Sequence, residues 1–159
     1  PRERAVAKVK NTMSDQVQAY IAQSSLVVMA TSNESGHCDA SPKGGKPGFV
    51  KILDDQHLIV PDVAGNKLFQ SYLNMLENPH IGLLFLIPGS NDTVRVNGRV
   101  SLLSAKELEE LNIRLSLNNP DDNSIQLQGI LVEVEEAYTH CPRAFKFADL
   151  WNVEQAKRP

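Results

Sequence analysis

The residues of this chain best suited to chemistry are cations set beside permissive backbone. Ser41-Pro42-Lys43-Gly44-Gly45-Lys46 places two lysines and two glycines just past a predicted strand. Asp62-Val63-Ala64-Gly65-Asn66-Lys67 runs into a stretch of helical spacing, where the first N–H groups and the helix dipole favour an anion and Lys67 adds a full charge. Both segments suit a phosphate. Each also has a plainer reading: the first as a Gly/Pro turn, the second as a loop in which Asn66 caps the helix and Lys67 is solvated. Neither is a nucleotide P-loop, because G-x-x-x-x-G-K-[ST] and G-x-G-x-x-G are both absent.

Arg95 and Arg99 are four residues apart on a predicted strand and so share a face. They could meet a phosphate together, but surface pairing with Glu133 and Glu135 of another strand is the commoner outcome. His37-Cys38 and His140-Cys141 offer the side chains of a tetrahedral zinc site. Adjacent strand residues point to opposite faces, however, so no metal is expected. His140 beside Cys141 in sequence says little about thiolate formation, and no Ser-His-Asp order can be read. Catalytic side chains stay unassigned.

The composition bounds what these residues can serve. The chain has 159 residues, 42% hydrophobic and 22% charged, with a formal charge of −3, which fits one globular domain without the basic footprint of a nucleic-acid binder. Two cysteines cannot build a disulfide framework, and no signal-like segment opens the sequence, so a cytoplasmic setting is expected. The longest strongly apolar run, Ile81 to Pro88, is far short of the roughly 20 residues of a membrane helix. No membrane partner is expected.

The elements that must position the cations follow from periodicity. Residues 1–13 read as a charged arm. Residues 14–24 hold a short helix capped by Ser14, with Val17, Tyr20 and Ile21 on one stripe. Residues 25–138 hold the barrel. Strands at 25–32 and 37–41 flank an Asn33-Glu34-Ser35-Gly36 turn, and 49–53 and 57–60 flank Asp54-Asp55. The helix over 67–77 shows Leu68, Tyr72, Met75 and Leu76 on one face and ends at Asn78-Pro79. Ile81–Ile87 reads as a strand buried on both faces. Thr93–Leu103 alternates, with Gly98 where a bulge fits. Ser104 and Glu107 form a capping box for a helix marked by Leu108, Leu111 and Leu115. A long strand spans 126–138, and residues 139–159 form a helix over 143–150 and a tail. One antiparallel barrel with short peripheral helices, a mainly β fold, is the economical architecture.

The order of these segments is more specific than any one of them. SPKGG at a strand end, VPD-x-x-GNK turning into a helix that ends in NP, the strand IGLLFLIP, and TVRVNGRVSLLSAKE together resemble the pyridoxamine 5′-phosphate oxidase-like family of flavin-binding split barrels. The C-terminal VEVEEAYTHCPRAFKFADLW resembles an uncharacterised subgroup.

The resemblance implies a six-stranded antiparallel split barrel that forms a homodimer with FMN at the subunit interface. It implies that Lys43, with Ser41, Pro42 and Gly44 around it, reaches the flavin phosphate, and that Val60, Pro61 and Asp62 run beside the ring and ribityl chain. Asn66 and Lys67 would grip the phosphate, while Thr93 and Arg95 would come from the partner subunit. Trp151 would pack near the flavin. Lys43 and Lys67 with a helix N-terminus could neutralise a phosphate of about −1.5 to −2 charge. The implied activity is an FMN-dependent oxidoreductase that moves a hydride between NAD(P)H or a small reduced substrate and the flavin. The true oxidase ends in an Arg-x-His element, and no histidine follows His140 here, so pyridoxamine phosphate oxidation is not expected. The alternatives are a non-catalytic flavin store or sensor, a haem binder using His140, and a deazaflavin binder.

Overall fold

The computed structural model describes residues 9–63 and 70–154. Helix α1 (Asp15–Gln23) starts at Ser14, whose hydroxyl accepts the Val17 N–H, and it buries Val17 and Ile21. The strands are β1 (Leu26–Ser32), β2 (Cys38–Gly44), β3 (Lys51–Ile52), β4 (His57–Val63), β5 (His80–Leu86), β6 (Thr93–Ser104) and β7 (Gln126–His140). The described residues also form the helices α2 (Gln70–Glu77), α3 (Ala105–Glu110) and α4 (Arg143–Ala148). Among the described residues no helix is long and apolar enough to cross a membrane.

All the strands join one sheet in the order β2-β1-β5-β6-β7-β4-β3, and every pair is antiparallel. β2 and β4 lie at opposite flanks of that order, yet Lys43 of β2 and Asp62 of β4 are in contact. The sheet therefore curls until its flanks meet without pairing, which is a split barrel. Among the described residues it has seven strands rather than the six that the resemblance implies, because the two-residue β3 adds itself to β4. Val27, Met29, Leu58, Val60, Leu83, Phe85, Val94, Val96, Ile130 and Val132 fill the interior, and Met13, Val17 and Ile21 plug one end. Ile59, Leu108 and Ile113 make a second, smaller cluster where α3 lies on the sheet.

Several expectations need correction. Residues 9–13 are not a solvated arm: Lys10 exchanges backbone hydrogen bonds with Ala137, and Met13 is in the core. β5 alternates instead of being buried on both faces: Ile81, Leu83 and Phe85 face the core, while Gly82 and Leu84 on the other face are half-buried. α3 stops at Glu110, short of Leu115. Asn112 takes a left-handed φ of 55°, and the Ile113 N–H returns to the Leu108 carbonyl at 2.8 Å, closing the helix. α4 likewise ends at Ala148, before Leu150.

The expected irregularity at Gly98 is present. The β6–β7 register slips between Asn97 and Gly98, with the extra residue on β7 at Glu135. A Cβ at Gly98 would sit 2.1 Å from the Glu133 carbonyl oxygen, so the close approach of the two strands requires glycine.

Candidate functional site

β2 is a flank strand with a polar inner face. Its register sets Lys43 opposite Val27 and Ser41 opposite Met29, so both side chains take the inward direction at the seam of the barrel. β4 arrives from the other side with Pro61 and Asp62 buried. Its pairing with β7 then slips between Asp62 and Val63, where Val63 pairs with Gln126, a local irregularity in the ladder beside Asp62. Ser41–Gly44, Pro61–Val63, Leu115 and Leu117 enclose a cleft of about 340 Å³, within the size range of small-ligand sites.

Asp62 organises this cleft. Its Oδ1 accepts from Lys43 Nζ at 3.0 Å and from the Val63 N–H at 3.0 Å. Its Oδ2 accepts from Lys43 Nζ at 2.8 Å and from the Tyr72 hydroxyl. Burial, and next the neighbouring Asp62 charge, push the Tyr72 hydroxyl far above the ordinary tyrosine range, so it remains a donor at any physiological pH.

Tyr72 is held there by the polar docking of α2, where Ser71 donates to Asp39 and Asn74 donates to Thr31 at 3.0 Å. This departs from the expected apolar stripe. Met75 is buried as expected, whereas Leu76 is 71% exposed, along with Leu73, because α2 docks on β1 and β2 through polar partners, Thr31 and Asp39. Leu68, Asn66 and Lys67 lie outside the described residues.

Of the other site residues read from the sequence, Val60 is in the barrel core and does not line the cleft. Thr93 is buried, and its Oγ1 has no hydrogen-bond partner among the described residues. It borders a second pocket of about 370 Å³ with Tyr20, Asp92, His140 and Cys141. Arg95 donates to the Tyr138 hydroxyl at 3.2 Å, with its guanidinium carbon 5.7 Å from that ring's centroid.

The expected pairing of Arg95 and Arg99 with Glu133 and Glu135 is not made among the described residues. The register places Tyr138 opposite Arg95, Glu135 is the bulged residue, and Arg99 and Glu133 face each other without an ion pair. Trp151 donates to the Ser90 carbonyl at 2.7 Å and stacks on Phe145, fixing the C-terminal segment against the β5–β6 turn.

One protomer thus assembles Ser41, Pro42, Lys43, Gly44, Pro61 and Asp62 around one cleft, and sets Thr93 at a separate pocket. Sequence reasoning missed Tyr72, Leu115 and Leu117 as parts of the site. The phenol of Tyr72 was the available signal, since a tyrosine at a helix–sheet contact brings a polar end that needs a partner.

A family model described as pyridoxamine 5′-phosphate oxidase matches residues 13–141. Nothing among the curated proteins matches. Solved structures similar to this chain include HupZ of Group A Streptococcus, with a TM-score of 0.57 and 15% identity over 79% of this chain and 92% of that one. A candidate pyridoxamine 5′-phosphate oxidase of Lactobacillus delbrueckii gives 0.57 and 18%, covering 81% and 95%. A conserved hypothetical protein of Mycobacterium tuberculosis gives 0.56 and 12%, covering 88% and 91%. At these identities the likeness is one of fold.

Proposed function

Because the chain belongs to the pyridoxamine 5′-phosphate oxidase family, we propose that it binds FMN between two copies of itself and works as an FMN-dependent oxidoreductase. Its reductant would be NAD(P)H or a small reduced substrate. The observation that carries this reading is the separation of the site into two parts. Lys43, Ser41 and Pro61 edge one cleft, while Thr93 and Arg95 lie on β6, away from that cleft. A second copy brings a Thr93 and an Arg95 to the cleft of the first.

The residues fit a flavin. The cleft walls are largely neutral and extended, and among the described residues the buried Thr93 hydroxyl lacks a partner and Arg95 makes no ion pair. The dimer reading is supported by the outer sheet face, where Val28 and Leu84 are cross-strand neighbours left half-exposed and Ala30 is exposed. FMN, when bound, supplies the redox chemistry, so the chain needs no nucleophile of its own. Its residues hold the ring, exclude water and orient the reductant.

Purified protein is expected to show a flavin absorbance spectrum, to release FMN on denaturation and to run at twice the chain mass in light scattering. A colourless protein that takes up no added FMN refutes the flavin reading, and a monomer refutes the shared site. Bound FMN that NAD(P)H fails to bleach removes nicotinamide as the reductant.

A further inference from the structure

The Lys43 ammonium has three N–H donors, and two of them are directed at one carboxylate, 3.0 Å from Asp62 Oδ1 and 2.8 Å from Oδ2. That carboxylate is itself complete. With the Val63 N–H on one oxygen and the Tyr72 hydroxyl on the other, Asp62 has four donors and no capacity left for a ligand. Its side chain is 5% exposed against 19% for Lys43. The lysine therefore offers its third N–H to the cleft, and the carboxylate lies behind it.

A phosphate accepting from Lys43 at about 3 Å would have the Asp62 carboxylate at about 5 Å, behind the lysine, so repulsion takes back roughly half of the attraction or more. Lys43 cannot swing away to meet it without leaving a buried carboxylate short of its counter-charge. Among the described residues the rest of the lining gives a phosphate little else, since Pro42, Pro61, Leu115 and Leu117 carry no charge.

We propose that Lys43 donates to an uncharged oxygen of the ligand, a ring carbonyl or a chain hydroxyl, and that Asp62 is the positioning residue that fixes this donor and turns phosphate away from the cleft. The proposal rests on the cleft being the ligand site argued above. It gives Lys43 a different oxygen from the one that the family resemblance implies.

Riboflavin and FMN share the ring and ribityl chain and differ by the phosphate, so their affinity ratio reads where the phosphate is held. Each flavin is titrated into wild type, Asp62→Asn and the double variant Lys43→Met/Asp62→Leu, which removes both charges together. The double variant should weaken both flavins by about tenfold, as one charge-assisted hydrogen bond is worth, and leave their ratio within about twofold of wild type. Asp62→Asn, which frees the lysine charge, should shift the ratio toward FMN. A ratio that collapses in the double variant shows that Lys43 grips the phosphate and overturns the proposal.

If wild type binds neither flavin, the FMN reading fails, and inorganic phosphate judges the pair alone. At equal ionic strength, phosphate should raise the Tm of wild type and of the double variant equally. A phosphate-dependent rise that wild type shows and the double variant lacks overturns the proposal.

Discussion

Removing only the cation from the Lys43–Asp62 pair tests how the barrel is closed. Breaking a buried ion pair costs about 3–5 kcal/mol and breaking an exposed one about 0–1 kcal/mol. This pair lies between those limits, nearer the first, with side-chain exposures of 19% and 5%. In Lys43→Met, Asp62 keeps the Val63 N–H and the Tyr72 hydroxyl, so a loss of about 2–3 kcal/mol is expected. Replacing both members, as in Lys43→Met/Asp62→Leu, removes both charges of the pair and takes the Asp62 acceptor from the Tyr72 hydroxyl and the Val63 N–H, at about 1 kcal/mol. The double variant should therefore be more stable than the single one. Urea unfolding at one protein concentration reads this directly, because with a slope of about 1–3 kcal/mol per molar a 2–3 kcal/mol loss moves the midpoint by roughly 1 M or more. A single variant within about 0.5 kcal/mol of wild type, or a double variant whose loss equals the sum of the two singles, would refute the reasoning.

Two further outcomes follow from buried hydroxyls. Thr93→Val replaces a buried, unpartnered hydroxyl by a methyl of like shape, so ligand-free stability should hold or rise by about 1 kcal/mol while FMN affinity falls; calorimetric unfolding with flavin titration checks both, and a clear loss of stability counts against the assignment. Tyr72 holds its proton far above the ordinary value of 10.0 when folded, whereas the unfolded chain releases it near that value, so stability falls as pH climbs beyond it. The ideal slope is about 1.4 kcal/mol per pH unit, nearer 1 after screening by solvent, and Tyr72→Phe should lack this part of the slope; parallel alkaline stability curves for the two proteins would refute it.

What the sequence made legible is local. Ser14 and the Ser104–Glu107 box cap their helices as read, Asn78-Pro79 stops α2, and Gly98 marks the slipped register. Each of these is decided within a few residues by backbone donors, a ring or a missing Cβ. α2 was less legible because the helical stripe rule assumes an apolar surface beneath. The surface is β1 and β2, which offer Thr31 and Asp39, and these partners that dock the helix lie 43 and 32 positions away in the chain. Lys43 and Asp62 were both singled out, but as separate contacts to one ligand. Their pairing spans 19 residues and exists only because the sheet closes, which no local pattern encodes.

That closure changes how the charge of the site should be counted. A lysine beside glycines reads as an anion site because its charge is taken as available, yet availability depends on what the fold places next to it. Lys43 has a buried carboxylate across the seam, and its field beyond a few ångströms is that of a dipole. Arg95 is also half-buried, but its register neighbour is Tyr138, whose ring and hydroxyl orient the guanidinium without cancelling it. Between the two, Arg95 has the charge that a phosphate could use. In a dimer that charge would come from the other subunit to the charged end of the ligand, while the uncharged part of the ligand is read by Lys43 within one chain.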